Sequence, residues 1–97
     1  MGKRQGPGSE AALVGYKIFL ETRARGEFLE LPKQIQARLR ESIDDLATDP
    51  RPPGVKKLSG VKGYRLRKGR YRVLFTIDDK AKEIRIFRID HRREIYR

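Results

Sequence analysis

Tyr64-Arg65-Leu66-Arg67-Lys68-Gly69-Arg70-Tyr71-Arg72-Val73-Leu74-Phe75 reads as a β-hairpin, and the rest of the chain is organised around it. With Lys68-Gly69 as a two-residue turn, Arg67 faces Arg70 and Arg65 faces Arg72. Side chains alternate along a strand, so all four arginines then share one face. Tyr64, Leu66, Tyr71 and Val73 fall on the other, where a core can use them. Like charges directly opposite destabilise a sheet by about 0.2–1 kcal/mol a pair. Two such pairs point to a polyanion bound on that face; the bland alternative is a solvated basic surface.

Upstream, residues 50–63 form a Pro/Gly-rich connector in which Leu58 is expected to anchor to the core while Lys56 and Lys57 point outward. Asp49-Pro50 stops a helix, because the residue before a proline avoids helical geometry. That helix begins near Pro32, which suits a first turn. Ile35, Leu39, Ile43 and Leu46 repeat along one of its faces. Lys33, Arg40, Glu41 and Asp44 occupy the opposite face and read as solvated. A shorter helix precedes it over Thr22 to Leu31, with Thr22 as cap and Ala24, Phe28 and Leu31 as its stripe. The two helices make an antiparallel hairpin. Val14 to Leu20 fits a first strand, apolar on both faces. Residues 1–13 read as a flexible tail, and 14–97 as one domain.

Downstream, the second hairpin strand continues to Ile77, and Asp78-Asp79-Lys80-Ala81-Lys82 turns the chain. Glu83 to Ile89 makes a further strand, with Ile84 and Ile86 on one face and Arg85, Phe87 and Ile89 on the other. The order strand, helix, helix, strand, strand, strand predicts a two-layer α+β domain. Both helices cover one sheet face, and the last three strands form an antiparallel meander.

The formal net charge is +11. Residues 1–50 carry eight basic and eight acidic side chains, whereas 51–97 carry sixteen basic and five acidic, so the whole surplus lies in the second half. Such asymmetry points to nucleic acid, an anionic membrane or an acidic protein partner. Cysteine is absent, which excludes disulfides, thiolate metal sites and a cysteine nucleophile. A single histidine leaves little for a transition metal, and no metal or cofactor is expected. No apolar run approaches the roughly 20 residues of a membrane span, and no signal peptide is visible, so a cytoplasmic location is expected.

No glycine loop of the phosphate-cradling types and no hydrolase nucleophile motif is present. The acidic residues lie mostly on the helix face or in the Asp78-Asp79 turn, which does not favour a two-carboxylate site. Arginine, Tyr96 and His91 remain, an inventory suited to metal-free RNA cleavage. In that reaction the RNA's own 2′-hydroxyl is the nucleophile. The protein supplies a base, cationic donors for the phosphorane and an acid for the leaving oxygen. Arginine's planar fork fits phosphate and stays charged. Tyrosine's reference pKa of about 10 is high for a base, but surrounding arginines favour the phenolate. His91 titrates nearer neutrality. The blander readings are a Tyr96 packed on the sheet edge, a locally bonded His91 and a solvated Arg92-Arg93 end.

Lys57-Leu58-Ser59-Gly60, Tyr64-Arg65-Leu66-Arg67, Gly69-Arg70-Tyr71-Arg72-Val73 and His91-Arg92-Arg93-Glu94-Ile95-Tyr96, in that order, resemble the RelE/ParE toxin superfamily of toxin–antitoxin systems. Leu31-Pro32-Lys33 with Ile35-Gln36 is similar to that family's helical hairpin, and the resemblance runs from about Val14 to Arg97. It implies the same α+β fold and, for the RelE branch, cleavage of messenger RNA in the ribosomal A site without metal. It implies catalytic positions at Arg65, Arg67, Arg72, Arg92 and Tyr96, beside which His91 stands as the further acid/base candidate of the residue inventory. Arg72 corresponds to the arginine on the scissile phosphate, Arg92 to a transition-state arginine and Tyr96 to the general base. Lys56, Lys57, Lys62, Lys68, Arg70 and Arg93 are the expected further RNA contacts. The family pattern has lysine as general acid at the position of Arg67, so either Lys68, Lys62 or His91 stands as replacement donor or leaving-group protonation is weaker here. The expected partners are a protein antitoxin with an acidic or amphipathic segment, and the ribosome with its messenger and ribosomal RNA. The alternatives are a ParE-like gyrase inhibitor and a non-catalytic RNA-binding relative.

Overall fold

A computed structural model describes residues 15–91. The expected tail at 1–13 and the expected site residues Arg92, Arg93 and Tyr96 lie outside them. Seven elements follow in order: β1 (Lys17–Leu20), α1 (Thr22–Leu29), α2 (Lys33–Asp45), β2 (Lys56–Lys57), β3 (Tyr64–Lys68), β4 (Tyr71–Asp78) and β5 (Glu83–His91). They build one five-stranded sheet in the order β1-β5-β4-β3-β2. β1 pairs with β5 in parallel, and the other pairs are antiparallel. The two-layer α+β arrangement expected from the sequence is the one observed. It gains a short strand, β2, inside the connector.

The apolar stripes meet between the layers. Ala24 of α1, Leu39 and Ile43 of α2, and Leu46 just beyond it pack against Val73, Phe75, Ile84, Ile86 and Ile89 of the sheet. Each fully buried Leu, Ile or Phe side chain contributes about 1.5–3 kcal/mol relative to exposure. The expected cap moves by one residue: Glu21 is the N-cap of α1, without a side-chain cap bond, and Thr22 is already helical. The other end of α1 is closed by α2, because Gln36 Nε2 donates to the carbonyls of Leu29 at 3.2 Å and Leu31 at 2.8 Å.

Three expectations are corrected by the register. First, Lys68 pairs with Tyr71 and Arg67 with Arg72, so the hairpin turn is Gly69-Arg70 rather than Lys68-Gly69. The tight turn demands positive φ at its first central position. Gly69 adopts φ +60° there, where a lysine would be strained. The slip is two residues in the pairing sum, so face assignments survive while pairings change. Arg67 and Arg72 are now the opposed pair, Arg65 faces Leu74, and Arg70 sits in the turn. Second, Ile89 joins Ile84 and Ile86 in the core. Leu74 pairs with Arg88 and Phe75 with Ile86, which leaves Phe87 as the extra residue of a β-bulge that reverses the alternation beyond it. Third, Leu58 stays outside the helix-side core. It converges with Phe87 on Gly63, each reaching within 3.4 Å of where a Cβ would stand there.

At the end of the sheet away from the hairpin turn, Asp79 accepts from the Tyr16 hydroxyl at 2.6 Å and from Arg51 at 2.9 and 3.3 Å. Arg51 also lies over the Tyr64 ring, 5.2 Å from its centroid. This clasp joins the start of β1, the connector, β3 and the β4–β5 turn. The hydrogen bonds from Arg51, then from Tyr16, hold the Asp79 carboxyl down at about 2, and the same carboxylate raises Tyr16.

Gly63 has φ +142°, and an added Cβ would lie 3.1 Å from the Phe75 carbonyl oxygen. Gly63→Ala is expected to destabilise the fold by about 2 kcal/mol in urea unfolding. Gly26, in α1 with nothing within 4 Å of its Cβ position, should give a gain of about 0.5–1 kcal/mol as Gly26→Ala. For Asp79, a carboxyl depressed in the folded state stabilises above its unfolded value and loses that effect as pH falls. The urea midpoint of the native protein should exceed that of Asp79→Asn by a constant margin above about pH 4. The margin should shrink below that and be lost as the pH falls through about 2.

Candidate functional site

The sheet face opposite the helices carries the charge. Alternation along β3 and β4 sends Tyr64, Leu66, Val73 and Phe75 to the core side and Arg65, Arg67 and Arg72 to the open side. Cross-strand pairing arranges the open side in rows. Arg67, Arg72 and Asp90 form one row across β3, β4 and β5. Lys56, Arg65, Leu74 and Arg88 form the next, extending onto β2. Arg85 lies further along, over the Phe19 ring at 4.7 Å and paired with Glu83 at 3.3 Å.

The arginines of this face fall into two classes. Arg85 and Arg88 are neutralised by carboxylates. Arg65, Arg67 and Arg72 form no ion pair among the described residues. Arg65 and Arg72 are half-buried, and the Nε of each is buried without a hydrogen-bond acceptor among those residues. Leaving a buried donor unsatisfied costs about 1–3 kcal/mol. A phosphate oxygen would remove that cost and match the guanidinium fork.

The other expected residues are distributed unevenly. Lys56 pairs with Arg65 and so shares the arginine face, whereas Lys57 pairs with Tyr64; both are exposed. Lys68 and Arg70 flank Gly69 at the hairpin tip. There, with Arg38, they rim a cavity of about 330 Å³ floored by Ile35, Leu39 and Tyr71. His91 pairs with Tyr71, ring against ring at 4.9 Å and 88°, on the helix side of the sheet. Lys62 precedes β3 at its far end and lines a different cavity with Thr76, Asp79 and Arg85. The sheet therefore brings Arg65, Arg67, Arg72 and Lys56 together, while His91, Lys68 and Lys62 lie elsewhere.

Three residues of this region escaped the sequence reading. Glu27 of α1 accepts from the Ile89 N–H at 2.7 Å and from Arg88 Nε at 3.0 Å. Arg88 also bonds Asp90, which is 8% exposed. β1 pairs with β5 only as far as Ile86, so Glu27 supplies the acceptor that a longer β1 would have offered. Arg88 and Asp90 share a face by their i, i+2 spacing, which the sequence does display. Glu27 lies 61 residues from Arg88, and no local pattern announces it. Among the described residues no helix is long and apolar enough to cross a membrane.

Comparison with known proteins agrees with this geometry. Residues 16–96 match the family model described as the ParE toxin of the type II toxin–antitoxin system parDE. The chain is 36% identical over 86 residues to Toxin RelG of Mycobacterium tuberculosis, covering 84% of this chain and 97% of that protein. It is similar to the crystal structure of the toxin–antitoxin complex RelBE2 of the same organism, with TM-score 0.74 and 34% identity over 82% of this chain and 94% of that one. The archaeal RelE–RelB complex of Pyrococcus horikoshii aligns with TM-score 0.72 and 31% identity, covering 80% and 96%. The isolated RelE toxin of Escherichia coli, at 21% identity and TM-score 0.70 over 84% and 90%, shares the fold.

Proposed function

The chain belongs to the RelE/ParE superfamily of type II toxin–antitoxin toxins, and from that premise we propose that it is an endoribonuclease that cuts messenger RNA in the ribosomal A site. The reaction is a transesterification. The 2′-oxygen attacks the adjacent phosphorus, the bond to the 5′-oxygen breaks, and a 2′,3′-cyclic phosphate and a 5′-hydroxyl end result. One proton passes from the 2′-hydroxyl to a base, and another reaches the leaving oxygen from an acid.

The observation that most supports this reading is the pair of half-buried guanidiniums, Arg65 and Arg72, whose Nε donors lack a protein acceptor among the described residues, on a face where Arg85 and Arg88 are paired with carboxylates. Their positions suit charge that builds on the phosphorane, and preorganised donors of this kind are usually the largest catalytic contribution. In this reading Arg72 holds the scissile phosphate and Arg92 joins it in the transition state. Tyr96 takes the 2′-hydroxyl proton, a role that positive charge near its phenolate would favour. Arg67 keeps its own proton too tightly to act as acid, so leaving-group protonation is the slow part of the cycle. The reaction needs no metal, since arginine supplies the positive charge.

The ribosome sets the location as cytoplasmic, and its RNA meets the remaining cations, Lys56, Lys57, Lys62, Lys68, Arg70 and Arg93. The partner that silences the toxin is a protein antitoxin with an acidic or amphipathic segment. The RelE relatives from M. tuberculosis and P. horikoshii, solved as complexes with their antitoxins, support that partner.

The test is incubation with programmed ribosomes and mapping of messenger ends; intact message at stoichiometric protein would reject the reading. Arg72→Ala should lower single-turnover cleavage by about 10²–10³-fold, the scale of losing one transition-state donor. Tyr96→Phe should slow cleavage while leaving RNA affinity unchanged. Arg67→Lys should raise the cleavage rate by restoring a donor that releases its proton, roughly tenfold or more. The matching family model carries the ParE name, which motivates the competing reading, a gyrase inhibitor. It predicts inhibited supercoiling by purified gyrase with ribosomal message left whole.

A further inference from the structure

Asp90 stands cross-strand from Arg72, where side chains on one sheet face are direct neighbours. It is 8% exposed, so its charge needs a partner. Arg72 has a buried Nε that needs an acceptor. The two should satisfy each other, yet they form no ion pair. Asp90 is bonded instead to Arg88, two residues back on its own strand. Arg88 is held from its other side by Glu27 at 3.0 Å, and Glu27 is itself fixed by the Ile89 N–H at 2.7 Å and by Arg23 at 3.4 Å.

We propose that Glu27 and Arg88 are positioning residues that hold Asp90 away from Arg72 and so keep the Arg72 guanidinium open to a phosphate. Arg88 prevails over Arg72 for Asp90 because it is clamped between two carboxylates, one from α1 and one from β5. Arg72 would bring Asp90 a single new contact. Without Arg88, Asp90 is a nearly buried carboxylate with Arg72 as its cross-strand cation among the described residues. It would take Arg72, neutralise it and occupy its donors. The inference rests on the reading of Arg72 as a phosphate contact, but the charge arrangement it describes exists without RNA.

Two measurements separate the claims. The first is the NMR signal of the Arg72 Nε–H, read without RNA. The second is affinity for an RNA carrying a 2′-deoxy residue at the cleavage position. Arg88→Ala should shift the Arg72 signal to that of a carboxylate-bound guanidinium and weaken RNA binding about tenfold, the scale of one charged contact. Arg88→Ala/Asp90→Asn should return both to native values. A structural role alone would leave the double variant no better than the single one. Should Arg88→Ala fail to fold, Arg88→Met keeps the packing of the side-chain stem, offers Asp90 no donor and should move both readouts in the same direction. An Arg72 signal unmoved by losing the Arg88 charge overturns the proposal, as does a double variant that binds no better. If the native protein binds no RNA, the reading of Arg72 fails, and the Arg72 signal still decides for or against the clamp.

Discussion

β5 must bury three isoleucines at positions 84, 86 and 89, and an unbroken strand cannot do so. The spacing of two and then three would expose Ile89 and drive Arg88 and Asp90 between sheet and helices. Burying unpaired charge there would cost more than the isoleucine could return. The bulge at Phe87 resolves the conflict by inserting one residue against β4. Everything beyond it changes sides. Ile89 enters the core, Asp90 comes to rest across from Arg72, and His91 moves away from the arginines to the Tyr71 ring. The same inserted residue thus completes the hydrophobic layer and sets which charges meet on the open face.

Much of this was legible in the sequence, for reasons that differ from residue to residue. The α2 stripe of Ile35, Leu39, Ile43 and Leu46 is a long periodic signal, and it packs as read. The arginine face was legible because alternation depends only on parity, which a two-residue slip preserves. The pairing was not, because it depends on where the turn lies. That in turn hinged on which position of a Lys-Gly-Arg triplet takes positive φ. The bulge was visible as a broken alternation in Ile84-Arg85-Ile86-Phe87-Arg88-Ile89, yet a strand apolar on both faces explains the same letters. The Glu27 contacts could not be read at all, since they join a helix to a strand edge through tertiary packing alone.

The open face shows how stability is given up for recognition. Arg67 opposes Arg72 directly, a pairing that weakens a sheet, and two buried Nε donors go unanswered within the described fold. Acidic residues are not lacking: Glu27, Glu83 and Asp90 are all close to this sheet, but Glu27 and Asp90 both engage Arg88 and Glu83 engages Arg85. The cations left over sit together, Arg65 and Arg72 half-buried and Arg67 exposed, held by strand geometry rather than by flexible loops.

β1 pairs with β5 through Lys17 and Glu83, so one sheet edge is built from segments separated by both helices and three other strands. Until β5 is in place, Ile18 and Leu20 have no strand to pair with. The loop to be closed is most of the described chain, and such high contact order makes this edge a slow and late event in folding. During that interval β1 is an exposed apolar strand that the β5 of a second copy could equally well accept. At high concentration the fold is therefore open to strand exchange between molecules, with β1 as the arm that crosses over.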